Sequence, residues 1–153
     1  MAGSGIYTAP IESKVFLYSG KKWGSSCTAS VGIMLTKPAY CSLMSWEPIS
    51  ERFIAARFCS RVSNISIIHC YAPPNRSVIP KRTIFTFNST IYNKTPCGDI
   101  IMVMGDLNAK VGQDNYILNH VMGIHGIGAR NDNGERFVDF CSTNHFGHWW
   151  HNA

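Results

Sequence analysis

The stretch that most constrains the fold of this chain runs from Asp99 to Gly112 and reads D-I-I-M-V-M-G-D-L-N-A-K-V-G. Ile100 to Met104 is an uninterrupted apolar run of strand length, and Gly105 follows it directly. A run so short and so apolar predicts a strand that is buried on both faces, although periodicity alone leaves a buried helix segment open. We expect Gly105 to end this strand.

Two polar side chains, Asp106 and Asn108, come first after the apolar run. In an extended chain, residues two apart point to the same side, and ligands of open α/β sheets bind at the carboxyl ends of strands. A carboxylate there can hold a divalent cation or take a proton from water, and a carboxamide can donate to a phosphate oxygen. The alternative is that G-D-x-N is a turn in which both side chains bond their own backbone.

Four sequence blocks occur in one order along the chain: Y-S-G at 18–20, Y-A-P-P-N at 71–75, G-D-L-N-A-K-V-G at 105–112 and H-G-I-G-A-R-N-D-N-G-E-R-F at 125–137. In this order the blocks resemble the endonuclease/exonuclease/phosphatase superfamily, and in particular the apurinic-type endonuclease domain of LINE retrotransposons and the related craniofacial development protein 2 family. The likeness covers most of Val15 to Asn144. G-D-x-N by itself is a weak signal, whereas four ordered blocks are a strong one.

The resemblance implies a Mg²⁺-dependent hydrolase that acts on DNA phosphodiesters. It assigns Asp106 to proton handling or to the neighbourhood of the metal, Asn108 to orienting the phosphate or the attacking water, and Tyr71 to contacting the phosphate. Asn75 matches a substrate-contacting asparagine. For Tyr71 the alternative is a tyrosine packed at a strand end with its hydroxyl in water.

Parts of the family's site have no counterpart in this sequence. The family also uses an early asparagine, a metal-binding glutamate and a late aspartate-histidine pair. Because magnesium favours near-octahedral oxygen ligands, we expect Asp106 and Asn108 alone not to fix it. We therefore expect a copy truncated at both ends and catalytically inactive. The alternatives are a non-catalytic module that binds nucleic acid or protein through the surviving α/β core, and a fragment that does not fold stably.

The predicted elements are strands interleaved with helices, which is typical of an α/β or α+β fold with a mixed sheet. The resemblance implies the superfamily's four-layer α/β sandwich, here incomplete, with two packed sheets and helices outside. The predicted strands are Val15–Ser19, Ala29–Thr36, Arg52–Phe58 and Asn64–Tyr71, and the predicted helices are a short turn over Pro38–Met44, a poor helix over 81–94 and a helix over 133–144. Asp132 and Glu135 have the spacing of a capping box for this last helix. Met1 to Pro10 is predicted to be weakly structured.

The predicted domain organisation is one partial domain over residues 1–146 and an aberrant tail over 147–153. The tail reads G-H-W-W-H-N-A, where relatives continue with an apolar strand. Its back-translation, read one base later, gives V-I-G-G-T-T, so we interpret it as the product of a single-base insertion. His145, His148 and His151 have a spacing that resembles a metal motif, but no further ligands converge on them in the sequence.

Composition places the chain among globular proteins, with 45% hydrophobic and 15% charged residues in 153. A net charge of +5 fits a polyanion such as DNA as a partner, although a mildly basic protein without that role is an equal alternative. The six cysteines form no CxxC pair, and no signal-peptide pattern opens the chain, so we expect reduced, mostly buried thiols in a nuclear or cytoplasmic protein. No apolar segment is long enough for a bilayer, which predicts no membrane association.

Overall fold

The computed structural model describes residues 3–9, 14–20, 29–74, 94–114, 116, 118, 121–122 and 126–146. The chain forms two compact units, the first from residues 1–71 and 94–105 and the second from residues 72–93 and 106–153. The described elements are β1 (Gly3–Ala9), β2 (Lys14–Gly20), β3 (Ser30–Leu35), α1 (Lys37–Cys41), β4 (Leu43–Ser50), β5 (Phe53–Phe58), β6 (Ile65–Tyr71), β7 (Ile100–Asp106) and α2 (Asp132–Thr143).

The first sheet has three antiparallel strands in the order β1-β2-β3. Its central strand shows the two-residue alternation of a half-buried strand, because Val15 and Leu17 are buried while Phe16 and Tyr18 are exposed. One face of this strand is therefore buried, and its side chains belong to the core.

The second sheet has four strands in the order β4-β5-β6-β7. The first three are antiparallel neighbours. The Ile100 amide donates to the Asn64 carbonyl (2.8 Å), and the Ala72 amide donates to the Asp106 carbonyl (2.8 Å). The first bond joins the starts of β6 and β7, and the second joins their ends. The two strands therefore run parallel.

The hydrophobic core of the first unit lies between the two sheets. Leu17 and Ile54 at its centre have no exposed surface, and burying one such side chain contributes about 1.5–3 kcal/mol. The predicted mixed α/β class and the two packed sheets are confirmed. The core consists of Val15, Leu17, Val31, Leu35, Ile54, Ala56 and Phe58.

The prediction that the strand at 100–104 is buried on both faces is wrong. Ile100, Met102 and Met104 keep 55%, 48% and 46% of their surface, so the face of β7 that they share is not covered, and among the described strands β7 is the terminal one of its sheet. Burial on both faces occurs instead in β5, where Phe53 (2% exposed) and Ile54 (0%) point to opposite sides. Gly105 also does not end β7, which continues to Asp106.

The other predicted elements agree with the structure to different degrees. The strand pairs β2–β3 and β5–β6 and the short helix α1 are confirmed. The predicted weak structure of Met1 to Pro10 is wrong, since β1 pairs with β2 along its whole length, and β4 was not predicted. The predicted helix 81–94 lies outside the described residues except for Lys94, as does the tail 147–153.

No helix among the described residues is long and apolar enough to cross a membrane.

The predicted C-terminal helix is confirmed with a shift of one residue, as α2. Its N-cap is Asn131 rather than Asp132, because the Asn131 side chain accepts the Gly134 amide (2.7 Å). Asp132 and Glu135 both lie in the first turn, where negative charge favours the helix dipole.

Candidate functional site

Gly105 allows β7 to lie very close to β6. Its φ is +132°, and a Cβ atom placed on it would lie 1.9 Å from the Cys70 carbonyl oxygen. No side chain fits in that space, and the backbone conformation is one that residues other than glycine rarely adopt. Glycine at this position is therefore a requirement of strand packing.

The D-x-N loop, which we define as residues 105–108, begins with an Asx turn. Asp106 is exposed, and its Oδ1 accepts the Asn108 amide (2.9 Å). For Asp106 the turn interpretation is thus confirmed. Asn108 has a φ of +46°, in the left-handed region that asparagine tolerates. Its side chain does not bond its own backbone and donates instead from Nδ2 to the Ala72 carbonyl (2.8 Å).

Two asparagines at the start of α2 hold the D-x-N loop in place. Asn133 is 1% exposed, and its Nδ2 donates to the carbonyls of Pro73 (3.0 Å) and Leu107 (3.1 Å). Asn131 donates from Nδ2 to the Asn108 carbonyl (3.0 Å). Three of the four family-like blocks, at 71–75, 105–112 and 125–137, are therefore joined by hydrogen bonds within the second unit.

The start of α2 also approaches the backbone after the loop. A Cβ atom on Gly134 would lie 1.8 Å from the Lys110 carbonyl oxygen, so the helix comes this close only with glycine there. Arg130 extends the contact, because its Nε donates to the Val111 carbonyl (2.7 Å) and its Nη2 to the Asp114 carbonyl (2.5 Å). A cleft of about 350 Å³ lies beside Arg130. These two hydrogen bonds give the Arg130 guanidinium a structural role, because they hold the backbone that follows the D-x-N loop.

Tyr71 and Asn75 are the remaining predicted site residues. Tyr71 ends β6 in the first unit, half-buried and packed against the core, with the Arg52 guanidinium carbon 5.3 Å from its ring centroid. Asp106 and Asn108 belong to the second unit. Asn75 lies outside the described residues.

The first unit carries a partly buried ion pair that the sequence did not predict, with 30% of the Arg57 side chain exposed. Arg57 on β5 donates two hydrogen bonds to Asp99, from Nε (2.7 Å) and Nη2 (2.9 Å), and the Ser66 hydroxyl donates a third (2.6 Å). The hydrogen bonds from Arg57 and then Ser66 lower the pKa of Asp99. Asp99 immediately precedes β7, so this pair fixes where β7 begins beside β6.

The described residues do not form a magnesium site on their own. No group of three or more His, Cys, Asp or Glu side chains close enough to hold a metal ion occurs within the described ranges. Asp106 provides one carboxylate, and one of its two oxygens already accepts the backbone N–H of Asn108. Mg²⁺ takes six oxygen ligands. The donor set of the loop therefore does not fit the ion without further ligands, and no catalytic step is derived through it.

Among the five cysteines that the structure describes, three are exposed, which differs from the predicted mostly buried thiols. Five cysteines in the described part of the chain are free; Cys41, Cys59 and Cys97 are exposed, while Cys70 and Cys141 are buried. Burial raises the pKa of the Cys141 thiol to about 12. Cys141 is thus protonated at neutral pH and unsuited to nucleophilic chemistry.

No protein-family model matches this chain. The chain is similar to craniofacial development protein 2 of Tragulus javanicus and of Bos taurus, with 26% identity over 117 residues in each case. The matched region is 74% of this chain and spans about a fifth of the relatives, 20% and 19% of their lengths.

Proposed function

We propose that this chain is part of a magnesium-dependent, apurinic-type DNA endonuclease domain of LINE origin. The observation that carries the proposal is the hydrogen-bonded junction of three family-like blocks around the D-x-N loop. Asn108 reaches Ala72, and Asn133 reaches Pro73 and Leu107, so residues up to 60 positions apart meet there. The two packed sheets and the distant similarity to craniofacial development protein 2 support the same proposal.

In this proposal Asp106 and Asn108 face the DNA phosphate. The Asp106 carboxylate is exposed. Its Oδ1 accepts a hydrogen bond from the backbone N–H of Asn108, so its Oδ2 can contact a ligand. One N–H of the Asn108 side-chain amide donates to the Ala72 carbonyl. This bond fixes the direction of the second N–H and of the oxygen of the same side chain. A fixed amide can donate to a phosphate oxygen at low entropic cost.

Catalysis by the described residues alone is not part of the proposal. In such a domain, a magnesium ion would supply charge neutralisation for the phosphate and a lowered pKa for a bound water. The D-x-N loop provides one carboxylate toward it, so the remaining ligands have to come from elsewhere. We therefore expect the chain by itself to bind DNA and to leave it uncut.

A second candidate function is a non-catalytic module that binds a nucleic acid or a protein partner. The observation in its favour is the structural use of both loop side chains. Asp106 closes an Asx turn, and Asn108 holds the Ala72 carbonyl, which are roles that need no substrate.

The test is nicking of supercoiled DNA and of a duplex with one abasic site, on protein shown to unfold cooperatively. Reactions with Mg²⁺, with chelator and with the Asp106→Asn variant are compared. We expect no metal-dependent nicking by the wild-type chain, together with duplex binding. Nicking that is lost in both controls would show that the chain completes its site. A folded chain that binds no DNA would remove the endonuclease assignment and leave a protein-binding module.

A further inference from the structure

The first sheet exposes aromatic rings on the face that points away from the core. Alternation along β2 buries Val15 and Leu17 and sends Phe16 and Tyr18 to the opposite face, where they keep 36% and 45% of their surface. Tyr7 on β1 keeps 57%, and the register places it directly opposite Phe16. We call the surface formed by Tyr7, Phe16 and Tyr18 the aromatic face.

Glycines on both sides of Tyr18 leave its ring accessible. The register pairs Tyr18 with Gly5 on β1 and with Gly32 on β3. A Cβ atom on Gly5 would lie 2.7 Å from the Tyr18 hydroxyl oxygen, so the ring lies along the sheet, over Gly5. The rings of Tyr7 and Phe16 have centroids 6.3 Å apart and are tilted by 48°, so they do not stack face to face on each other. Flat ring surfaces therefore remain available to a ligand.

Positive charge is concentrated in the same part of the chain. Residues 1–37 include the whole first sheet and contain four lysines and one glutamate, which gives +3 of the net charge of +5. The sequences of the three strands contain no Asp or Glu. Lys14 lies on the same face as Phe16, since the two are two residues apart in β2, and Lys21 and Lys22 follow β2 directly in the sequence. This distribution favours a ligand with negative charge.

We propose that the aromatic face binds single-stranded nucleic acid, whose bases stack on Tyr7, Phe16 and Tyr18. Aromatic side chains on exposed sheet surfaces bind bases in this way, and every base has a flat face that can stack. The bases of a duplex are already stacked on one another, so the face prefers single strands. The lysines of residues 1–37 attract the phosphates of the same strand. The surface does not include the D-x-N loop, and this binding goes beyond the proposed endonuclease function.

A protein partner is the alternative occupant of such a face, because exposed apolar patches mark interaction sites of several kinds. Two observations favour a nucleic acid. Three of the four large exposed side chains on the face are aromatic, the fourth being Met34, which lies opposite Phe16. Lysine is depleted in protein–protein interfaces, whereas it is the basic residue of this part of the chain.

The first experiment measures the affinity of the whole chain for a fluorescent oligothymidylate of about 12 nucleotides, by anisotropy in chelator, against a duplex of equal length. We expect the single strand to bind more tightly. Phe16→Leu and Tyr18→Leu keep an apolar side chain and remove the ring, so each should weaken binding about tenfold, also at raised salt. Tyr18→Phe keeps the ring and should bind as wild type does. Tyr116→Leu, at a tyrosine that is 89% exposed in the second unit, is the matched control and should also bind as wild type does.

The second experiment locates the strand on the wild-type chain, without any substitution. The oligonucleotide carries iodouracil in place of thymine and is crosslinked by ultraviolet light, and the crosslinked peptides are identified by mass spectrometry. We expect these peptides to contain Tyr7, Phe16 or Tyr18. The Asp106→Asn variant should give the same crosslinks, so this result is independent of the endonuclease assignment.

Three results would overturn the proposal. The first is equal affinity of wild type and both ring variants for the single strand, and the second is crosslinking confined to the second unit. The third is a chain that binds no single strand but forms a dimer in sedimentation, which Phe16→Leu and Tyr18→Leu both dissociate. That result would identify a second copy of the chain as the partner of the aromatic face.

Discussion

Three asparagine side chains set the conformation of the D-x-N loop, and each does so by bonding main-chain groups. Asn108 bonds Ala72, Asn131 bonds Asn108 and Lys110, and Asn133 bonds Pro73 and Leu107. A carboxamide donates and accepts without carrying charge, so it can be buried against carbonyls at lower free energy than an aspartate. The loop is therefore held by neutral groups, and the exposed Asp106 carries its one charge.

Asn133→Asp should destabilise the chain strongly. The substitution keeps the shape but replaces two N–H donors with a carboxylate against the carbonyls of Pro73 and Leu107. We expect a loss of about 3 kcal/mol in the free energy of unfolding, measured by urea denaturation at pH 7. Asp139→Asn, on the exposed face of the same helix, should stay within about 0.5 kcal/mol of wild type. Equal stability of the two variants would contradict the network.

Asp99→Asn should change how the free energy of unfolding depends on pH in the acid range. The pKa of Asp99 is lowered by Arg57 and then Ser66, so its contribution is present at neutral pH and is lost as the pH falls below the ordinary aspartate value of about 4. The variant should be less stable than wild type at pH 7, and the difference should shrink toward pH 2. The measurement is the urea midpoint at a series of pH values. A difference that is constant with pH would show that the ion pair is not the cause.

At the scale of elements, α2 packs backbone against backbone on the segment that follows the D-x-N loop. Gly134 permits this, because any Cβ would lie 1.8 Å from the Lys110 carbonyl oxygen. A short distance between main-chain atoms cannot be relieved by a side-chain rotation. The helix or the loop has to move instead, and the bonds of Asn131 and Asn133 move with it.

Gly134→Ala tests this packing through the sign of its effect. Helix propensity alone predicts stabilisation by about 1 kcal/mol, since alanine is the better helix former. The close approach predicts a loss of at least about 2 kcal/mol in the urea denaturation experiment. Gly128→Ala, where φ is +75° and the added Cβ meets nothing within 4 Å, measures backbone strain without a clash. Stabilisation of Gly134→Ala would show that α2 does not lie against the loop.

The sequence predicted the elements whose signals are local. An apolar run before Gly20 gave β2, alternation of Val31, Ile33 and Leu35 gave β3, a polar turn between apolar runs gave β5 and β6, and a capping pattern gave α2. The strand at 100–104 was found but its burial was not, because an apolar run does not tell whether its strand is central or terminal. β1 was missed because G-S-G-I-Y-T-A has weak propensity and is ordered by pairing with β2.

The candidate site was predictable only in part for the same reason. Asp106 and Asn108 stood out because they follow an apolar run. Asn133 did not, because its partner Pro73 is 60 residues away and the contact depends on the tertiary fold. Arg57 and Asp99 are likewise 42 residues apart.

At the scale of the whole molecule, the net charge is compatible with the polyanionic partner that we propose. The chain carries a net charge of +5, and its loop offers neutral donors and one carboxylate. If the proposal is correct, this charge attracts DNA without sequence preference, and the attraction weakens as the salt concentration rises.

The most direct test of the account is the affinity of Asp106→Asn for a fluorescent DNA duplex, measured by anisotropy in chelator over a salt series. Without metal, the Asp106 carboxylate repels the phosphate that the loop is proposed to face. Its neutralisation should therefore tighten binding about fivefold at low salt, with the gain fading as salt rises. The amide oxygen still accepts the Asn108 N–H, so the turn is kept. Asp139→Asn serves as the control for net charge and should bind as wild type does. Unchanged or weaker binding by Asp106→Asn would contradict the claim that the D-x-N loop faces a DNA phosphate.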